Sequence, residues 1–509
     1  MRECGILLPI ASLPSDYGIG AFSKEAFEFV DQLKEAGQSY WQILPLGPTG
    51  YGDSPYQSFS AFAGNPYFID LEQLISEGLL TKEECQAADF GEDERYIDYG
   101  KLYNSRFLVL RKAFHRWQEE LDGLGKRADK VLKRELGEET REYCFYAALK
   151  KYFGDKSWEC WETDIRMRDP EAMKRYGKLL EEDILFYGFQ QMMFKRQWKK
   201  LRAYAKKRGI KLIGDIPIYV AFDSADAWSH PELFQFDRDG KPKAVAGCPP
   251  DAFSETGQLW GNPLYDWAYH RKTGFAWWLE RMKYCFELYD VVRVDHFRGF
   301  DEYYAIPAKD DTAVNGTWKK GPGIALFKKM KETFGELNII AEDLGYLTPS
   351  VHKLLKDTGF PGMKVLQFAF STGERSVYLP YFYDHNCVVY TGTHDNDTTR
   401  GWYETMDEDE KAFTADYLDN GDASKEEIAW DFIRLAAASV ADLAVIPLQD
   451  YLNVGREGRI NTPSTLGGNW TWRMQKGQFT PDIIRRCRKL NEIYGRCRKE
   501  ARPKKRGRR

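Results

Sequence analysis

The chain has 509 residues, of which 43% are hydrophobic and 29% are charged, a balance typical of a globular protein. Its net charge of −4 argues against a broad nucleic-acid-binding surface, and no run of about 18 apolar residues predicts a membrane span. We expect no N-terminal signal peptide, and the nine cysteines are scattered without a CxxC pair. These features predict a cytoplasmic protein without a disulfide framework or a zinc site.

Apolar runs that suit β-strands recur eight times along the chain. We predict strands at residues 6–10, 40–47, 211–217, 291–295, 338–345, 363–368, 387–397 and 443–450. Helical patterns are predicted at residues 22–36, 184–207, 323–334 and 425–441. Strands that alternate with helices predict a (β/α)8 TIM barrel with large, mostly helical and loop insertions. An open doubly wound sheet is the alternative, but no Gly-x-Gly-x-x-Gly loop supports it.

The domain organisation follows from this pattern. We interpret residues 1–500 as a single barrel domain and residues 80–165 as a mostly helical insertion within it. Too few residues follow the eighth predicted strand for a C-terminal β-sandwich. Residues 501–509 form a basic tail, with six Lys or Arg among the last eight residues, and we expect this tail to be disordered.

A charged pair stands at the carboxyl end of the fourth predicted strand. Arg293 and Asp295 point to the same side of that strand, whereas Val292 and Val294 point to the other. The guanidinium should keep the carboxylate ionised, which suits a nucleophile or a metal ligand, and a structural ion pair is the alternative. Gly299 is expected to let the chain turn away after the pair.

Three of the predicted strands carry carboxylates towards their carboxyl ends, at Asp295, Glu342 and Asp395. The carboxyl ends of barrel strands meet at one face, so these side chains are expected to lie together. A carboxylic acid beside an ionised one has a raised pKa, so Glu342 can carry a proton while Asp295 stays charged. Retaining glycoside chemistry requires this division, and an oxygen-rich divalent-metal site is the alternative. The 15 Trp, 30 Tyr and 31 Phe residues favour the sugar hypothesis, because aromatic faces can stack on sugar rings.

Several stretches of the chain resemble a known family. Arg293–Gly299, Ala341–Gly345 and Gly392–Thr398 closely resemble signature stretches of the α-amylase clan, in particular of its 4-α-glucanotransferase branch (amylomaltase or disproportionating enzyme). Asp215, within Gly214–Tyr219, resembles the fourth signature. Further resemblance to that branch lies in Ser54–Ser58, Ala63–Pro66, Pro249–Phe253, Gln258–Pro263 and Asn461–Trp470. The resemblance extends from Ile6 to Trp472.

The resemblance implies a role for each catalytic carboxylate. Asp295 would be the nucleophile, Glu342 the general acid and base, and Asp395 the group that stabilises the distorted sugar. Substrate contacts are implied for Arg293, His394, Tyr56, Asp215, Asp251, Trp260 and Asn469. No cofactor and no metal are implied.

The implied reaction is the transfer of α-1,4-glucan segments by a retaining double displacement. The donor would be a maltodextrin, amylose or a starch-like glucan, and the acceptor would be the 4-hydroxyl of glucose or of a maltodextrin. A hydrolase with the same carboxylates is the nearest alternative, and an inactive glycan-binding barrel is another. The expected enzyme is a monomer or a weak homodimer with no nucleic-acid or membrane partner.

Overall fold

The computed structural model describes residues 2–50, 52–250, 254–345, 347–370, 376–420 and 427–497. Its main feature is a barrel of eight parallel strands. These strands are β1 (Glu3–Leu7), β2 (Tyr40–Gln42), β3 (Lys211–Pro217), β6 (Val291–Asp295), β9 (Ile339–Ala341), β10 (Gly362–Val365), β11 (Cys387–Tyr390) and β12 (Leu443–Pro447). Hydrogen-bonded neighbours follow the order β10-β11-β12-β1-β2-β3-β6-β9. The predicted (β/α)8 barrel is confirmed.

The barrel closes between β9 and β10 without a regular ladder. The N–H of Ala341 donates to the carbonyl of Pro361 at 3.0 Å, and the carboxylate of Asp343 accepts from the N–H of Met363 at 2.6 Å. Gly362 leaves room for this contact, because a Cβ there would lie 2.4 Å from an Asp343 oxygen. A side-chain carboxylate therefore supplies part of the strand pairing at this seam.

Apolar side chains fill the barrel interior, as strand alternation requires. They are Leu7, Tyr40, Ile213, Ile340, Met363, Val365, Val388, Tyr390 and Val445. Alternate residues share a face, so Asp215 follows Ile213, and Glu342 follows Ile340, on the inner side. The candidate polar residues thus form the layer above this apolar core, towards the carboxyl ends of the strands.

Helices surround the barrel and fill the long connections. In the described residues they are α1 (Lys24–Glu35), α2 (Leu71–Ser76), α3 (Lys82–Gln86), α4 (Tyr99–Gly123), α5 (Ala128–Glu135), α6 (Glu138–Tyr152), α7 (Thr163–Arg166), α8 (Pro170–Leu179), α9 (Glu181–Arg208), α10 (Ala225–Ser229), α11 (Trp267–Lys272), α12 (Ala276–Leu288), α13 (Ile324–Phe334), α14 (Pro349–Thr358), α15 (Thr399–Thr405), α16 (Glu408–Leu418), α17 (Ile428–Ala438), α18 (Leu448–Tyr451) and α19 (Pro481–Ile493). The four helices predicted from sequence correspond to α1, α9, α13 and α17, although residues 425 and 426 lie outside the described residues. Residues 80–165, which are described throughout, contain α3–α6 and the start of α7 and no strand. No helix in the described ranges is long and apolar enough to cross a membrane.

A second sheet lies among the insertions, which the sequence predicts to be mostly helices and loops. It is antiparallel, with the order β5-β4-β7-β8, and its strands are β4 (Ala244–Cys248), β5 (Gln258–Pro263), β7 (Glu302–Pro307) and β8 (Thr317–Lys320). Its own core is small, consisting of Val245, Tyr304, Ile306 and Ala313. Every residue of β8 is exposed. β8 therefore lacks the hydrophobic pattern from which strands are predicted.

Five of the eight barrel strands are shorter than predicted, the third and fourth keep their predicted bounds, and the first is shifted towards the N-terminus. The first strand is Glu3–Leu7 rather than 6–10, and the second, seventh and eighth strands end at Gln42, Tyr390 and Pro447. The stretches after Gln42 and Tyr390 are loops, whereas Pro447 leads directly into α18. From residue 448 to residue 497, all of which are described, the chain forms α18 and α19 but no strand. The basic residues 501–509 lie outside the described residues.

Candidate active site

Asp295 stands at the end of β6 in a buried ion-pair network. The register of β3 and β6 places Asp215 directly beside Arg293. One guanidinium nitrogen of Arg293 lies 2.7 and 2.8 Å from the two Asp215 oxygens and 3.0 Å from Oδ1 of Asp295. Tyr56 donates its hydroxyl to Asp215 at 2.9 Å. Arg293 and Asp215 are buried, whereas the Asp295 side chain is 30% exposed and therefore accessible to a ligand.

The chain turns at His296, not at Gly299 as predicted. His296 adopts φ 52° and ψ 49°, a left-handed conformation that costs a non-glycine residue about 1–2 kcal/mol. This conformation directs the N–H of His296 to Oε2 of Glu342 at 2.7 Å. Gly299 matters instead for packing, since a Cβ there would lie 2.9 Å from Ile218. The strained turn therefore joins the strand of Asp295 to Glu342.

Glu342 lies just beyond β9, the barrel neighbour of β6. Its second oxygen accepts from the N–H of Leu344 at 2.7 Å. Burial, followed by the negative charge of Asp295, raises the pKa of Glu342 to about 8, although Arg293 and the two N–H donors oppose the shift. Backbone groups thus hold both oxygens of a carboxyl group that carries a proton at neutral pH.

The pKa of Asp295 lies below that of Glu342. Burial raises it to about 6, and the Arg293 guanidinium limits the rise, while Asp215 and Asp395 add to it. At pH 7 Asp295 is therefore mainly ionised and Glu342 mainly protonated. This is the division of charge that the sequence predicts, although burial lifts both values.

Asp395 enters the site from the loop after β11. His394 Nε2 lies 3.4 Å from one Asp395 oxygen, and Asn461 donates its side-chain amide to the other at 2.7 Å. The His394 ring stacks on Tyr56, with ring centroids 5.2 Å apart, and Trp470 packs against both rings. The Asp395 side chain is 43% exposed, so it faces the open cleft beside this aromatic wall.

Trp260 lies in β5 of the second sheet, although its segment was expected to be a loop. Its ring meets the His296 ring edge to face at 4.8 Å, and its indole N–H donates to the Gln258 side chain at 3.0 Å. Trp260 is only partly buried. The second sheet therefore forms the wall on the Glu342 side of the cleft, because His296 contacts both residues.

Two other predicted contacts are less directly connected to the carboxylates. The side-chain oxygen of Asn469 accepts from the N–H of Thr462 at 2.9 Å, and its amide donates to Thr465 at 3.1 Å. These bonds shape the loop of Asn469 itself. Asp251 lies outside the described residues.

Three residues at the site had no role assigned from the sequence: His296, Asn461 and Trp470. Asn461 and Trp470 lie in the stretch that follows β12, and β12 is the barrel neighbour of β11. Loops after adjacent strands meet above the barrel, so an amide in this stretch was a possible partner for Asp395. No sequence signal marked His296, because its contribution is a backbone N–H in a left-handed conformation.

The arrangement is typical of enzymes that act on glycosidic bonds with retention of configuration. Such enzymes use one ionised and one protonated carboxyl group at the same cleft. Aromatic rings line the cleft on both sides. Within the described part of the chain, no group of three or more His, Cys, Asp or Glu residues is arranged to hold a metal ion.

Comparisons with known proteins place the chain within this class. A family model described as 4-alpha-glucanotransferase matches residues 8–479. The 4-alpha-glucanotransferase of Clostridium butyricum is 49% identical over 490 residues, covering 96% of this chain and 99% of the relative. The 4-alpha-glucanotransferase of Thermus thermophilus is 47% identical over 496 residues, which cover 96% of this chain and 98% of the relative. A solved structure of amylomaltase from Streptococcus agalactiae in complex with acarbose is 41% identical in sequence and has a TM-score of 0.94. The match covers 98% of this chain and 100% of the amylomaltase chain. The chain therefore belongs to the 4-alpha-glucanotransferase family of glucan-transferring enzymes.

Proposed function

We propose that this enzyme moves α-1,4-linked glucan segments from a donor to the 4-hydroxyl of an acceptor by a retaining double displacement. Donors are maltodextrin, amylose or starch-like glucans, and acceptors are glucose or maltodextrins. The main support is the pairing of Asp295 and Glu342 at neighbouring strand ends with their pKa values separated in the required order. An ionised nucleophile and a protonated acid are then available together at neutral pH.

In the first step, Asp295 attacks the anomeric carbon of the donor. The bond from that carbon to the glycosidic oxygen breaks, and Glu342 gives its proton to the leaving oxygen. The products are a glucosyl ester on Asp295 and a shortened glucan with a free 4-hydroxyl. Arg293 fixes one oxygen of Asp295 at 3.0 Å, so the other oxygen is free to form the ester.

In the second step, Glu342 changes from acid to base. Esterification removes the negative charge of Asp295, which is the second-largest cause of the raised pKa of Glu342. Its pKa therefore falls while the ester exists, and the carboxylate can take the proton of an acceptor 4-hydroxyl. That hydroxyl attacks the anomeric carbon and releases Asp295, so that two inversions give net retention.

The surrounding residues bind and orient the sugar in this proposal. Asp395 accepts hydrogen bonds from hydroxyls of the distorted sugar, with His394 and Arg293 around the same ring. Asp215 and Tyr56 hold this part of the cleft, and Tyr56 offers an aromatic face. Trp260 stacks on the acceptor. Asn469 and Asp251 complete the proposed contacts.

Transfer requires the acceptor to reach the ester before water does. Bulk water is at about 55 M, whereas a well-oriented bound acceptor can have an effective molarity on the order of 10⁵ M or more. The wall formed by Tyr56 and Trp470, opposite Trp260, offers ring surfaces that can hold a sugar and exclude water. This reasoning favours a transferase over the hydrolase alternative.

Product analysis from pure maltotriose tests the proposal. We expect glucose and longer maltodextrins with almost no net gain in reducing ends. Asp295→Asn and Glu342→Gln should each remove most turnover while the protein stays folded. A steady rise in reducing ends until only glucose and maltose remain would instead identify a hydrolase, and binding of amylose without any product would identify an inactive barrel.

The organisation of the protein completes the proposal. Strands from Glu3 to Pro447 build one barrel, which supports residues 1–500 as one catalytic domain with a mostly helical insertion at 80–165. We assign the enzyme to the cytoplasm, as a monomer or weak homodimer without nucleic-acid or membrane partners. The net charge of −4 and the lack of a predicted membrane span support this assignment.

A further inference from the structure

A single guanidinium joins two loops that meet at Asp395. Nη2 of Arg459 donates to the backbone carbonyl of Asp395 at 3.0 Å, and Nε donates to the backbone carbonyl of Asn461 at 2.8 Å. The side chains of those two residues are themselves bonded, from Asn461 Nδ2 to Asp395 Oδ1 at 2.7 Å. Arg459 thus fixes the backbone on both sides of the hydrogen bond that orients the Asp395 carboxylate.

A buried carboxylate anchors this guanidinium from the far side. Nη1 of Arg459 lies 3.8 Å from Oδ2 of Asp397, whose side chain is only 6% exposed. Arg456 contacts the same oxygen at 2.8 Å but is 63% exposed. Gln367 holds the Asp397 backbone by donating to its carbonyl at 2.9 Å. The Asp397 anchor is therefore fixed independently of the loop that carries Arg459.

We infer that Arg459 is a positioning residue that holds Asp395 and Asn461 as one unit, so that Asp395 meets the distorted sugar in the correct orientation. This inference rests on the proposed function, which gives Asp395 that role. Asp395 is more exposed than Asp295 and, among the residues that the structure describes, forms no ion pair with Lys or Arg, whereas Asp295 pairs with Arg293. Its orientation consequently depends on the Asn461 amide and on the backbone that Arg459 secures.

The shape of the side chain explains why arginine is required. A guanidinium presents five N–H donors in a rigid plane, and here three of its nitrogens face three different oxygen groups. A lysine ammonium is a single point charge on a flexible stem, so it cannot reproduce these directions. Arg459→Lys therefore preserves the charge near Asp397 but releases at least one of the two backbone carbonyls.

The test compares Arg459→Lys and Arg459→Gln with the matched controls Arg456→Lys and Arg456→Gln. Glucose release from maltotriose gives kcat and KM, and thermal melting reports folding. A misplaced catalytic group can cost on the order of 10²-fold, so we expect kcat of the Arg459 variants to fall about 30- to 100-fold with KM within about 3-fold. The Arg456 variants share the Asp397 contact but not the two carbonyls, and their kcat should stay within about 2-fold of the parent.

A double variant adds a readout that general destabilisation would not produce. If Arg459 acts through the Asn461–Asp395 pair, Arg459→Lys should reduce kcat much less in an Asn461→Ala background than in the parent. If the two substitutions reduce kcat independently, so that the loss in the double variant is the product of the two single losses, the inference is wrong. A normal kcat in Arg459→Lys, or a change confined to its KM, would also overturn the inference. So would an equal loss of kcat in the Arg456 variants. If both Arg459 variants fail to fold, the residue serves folding and the inference is wrong.

The same assay separates this inference from the proposed function. Asp395→Asn should lose most of its kcat if Asp395 stabilises the distorted sugar. Retained activity in Asp395→Asn would contradict the proposed role of Asp395 itself. Loss in Asp395→Asn with normal activity in Arg459→Lys would refute only the role of Arg459.

Discussion

The free energy of unfolding of Glu342→Gln, measured relative to that of the parent, should increase as the pH rises. The variant should also lose most of its catalytic activity. The pKa of Glu342 is raised from 4.5 to about 8 in the folded protein, chiefly by burial. Below pH 4.5 the group is neutral in both the folded and unfolded states, so its contribution to stability is then fully present. Between pH 4.5 and 8 the unfolded chain gives up the proton and the folded protein keeps it, so stability is lost progressively. Glutamine does not titrate and escapes this loss.

The size of the effect follows from the width of that interval. One proton bound only by the folded state changes the free energy of unfolding by about 1.4 kcal/mol per pH unit. From pH 5 to pH 7.5, the stability of Glu342→Gln relative to the parent should rise by up to about 3 kcal/mol. Unfolding entropy of about 2.1 cal/mol/K per residue gives about 1 kcal/mol/K for 509 residues, so the melting difference should grow by about 3 °C.

The substitution also changes the free energy of unfolding by an amount that does not depend on pH. Both oxygens of Glu342 accept backbone N–H bonds, from His296 and Leu344, but glutamine has only one oxygen and must turn its NH₂ towards one of these donors. Losing one such bond costs about 1–3 kcal/mol at every pH. The variant can therefore be less stable than the parent at pH 5, and the informative quantity is the change with pH.

The assay is thermal melting of the parent and the variant at one scan rate from pH 4.5 to pH 8.5. Asp226→Asn is the matched control, because burial raises the pKa of Asp226 only from 3.8 to about 6 and the charge of Asp226 does not set the pKa of Glu342. The melting temperature of this control, relative to that of the parent, should stop rising near pH 6. The relative melting temperature of Glu342→Gln should continue to rise to about pH 8. A melting difference for Glu342→Gln that does not change with pH would refute the raised pKa of Glu342 and the argument built on it.

The remaining predictions concern catalysis and its geometry. We expect kcat/KM to fall below about pH 6, where Asp295 gains a proton, and above about pH 8, where Glu342 loses one; a profile without the alkaline fall would contradict the acid role. A crystal structure should place the two carboxyl groups about 5–5.5 Å apart, and a separation of 8 Å or more would indicate inversion. EDTA should leave activity unchanged because the carboxylates have metal-free roles, whereas loss restored by Ca²⁺ or Mg²⁺ would revive the metal-site alternative. Trp260→Ala should shift the products of maltotriose towards hydrolysis, whereas Trp318→Ala in β8 of the same sheet should not; equal product ratios would remove Trp260 from the acceptor site.

The barrel was predictable because its strands carry a simple signal. Residues at every second position face the interior, so the apolar residues of β6 and β9 fix the side to which Asp295 and Glu342 point. The resemblance in the signature stretches then identified the chemistry. Both kinds of information reside in short, contiguous runs of residues, which a single sequence displays directly.

The second sheet and the loop connections were not visible in this way. β8 is exposed throughout, so it lacks the apolar pattern of a buried strand. The contact between Asn461 and Asp395 joins residues 66 positions apart and depends on how two loops fold above the barrel. Such contacts are set by tertiary structure and have no local signature.

The backbone around Glu342 explains how one residue can serve as acid and then as base. Burial and the charge of Asp295 favour the protonated form, whereas the N–H groups of His296 and Leu344 favour the ionised form. Without these donors the pKa would lie higher still, and the carboxyl group would be slow to give up its proton to a leaving oxygen. Removal of the neighbouring Asp295 charge then lowers the pKa of Glu342 further, and formation of the proposed ester on Asp295 would remove that charge. In the proposed cycle, the left-handed turn at His296 is therefore the structural cost of an acid–base group that changes its role.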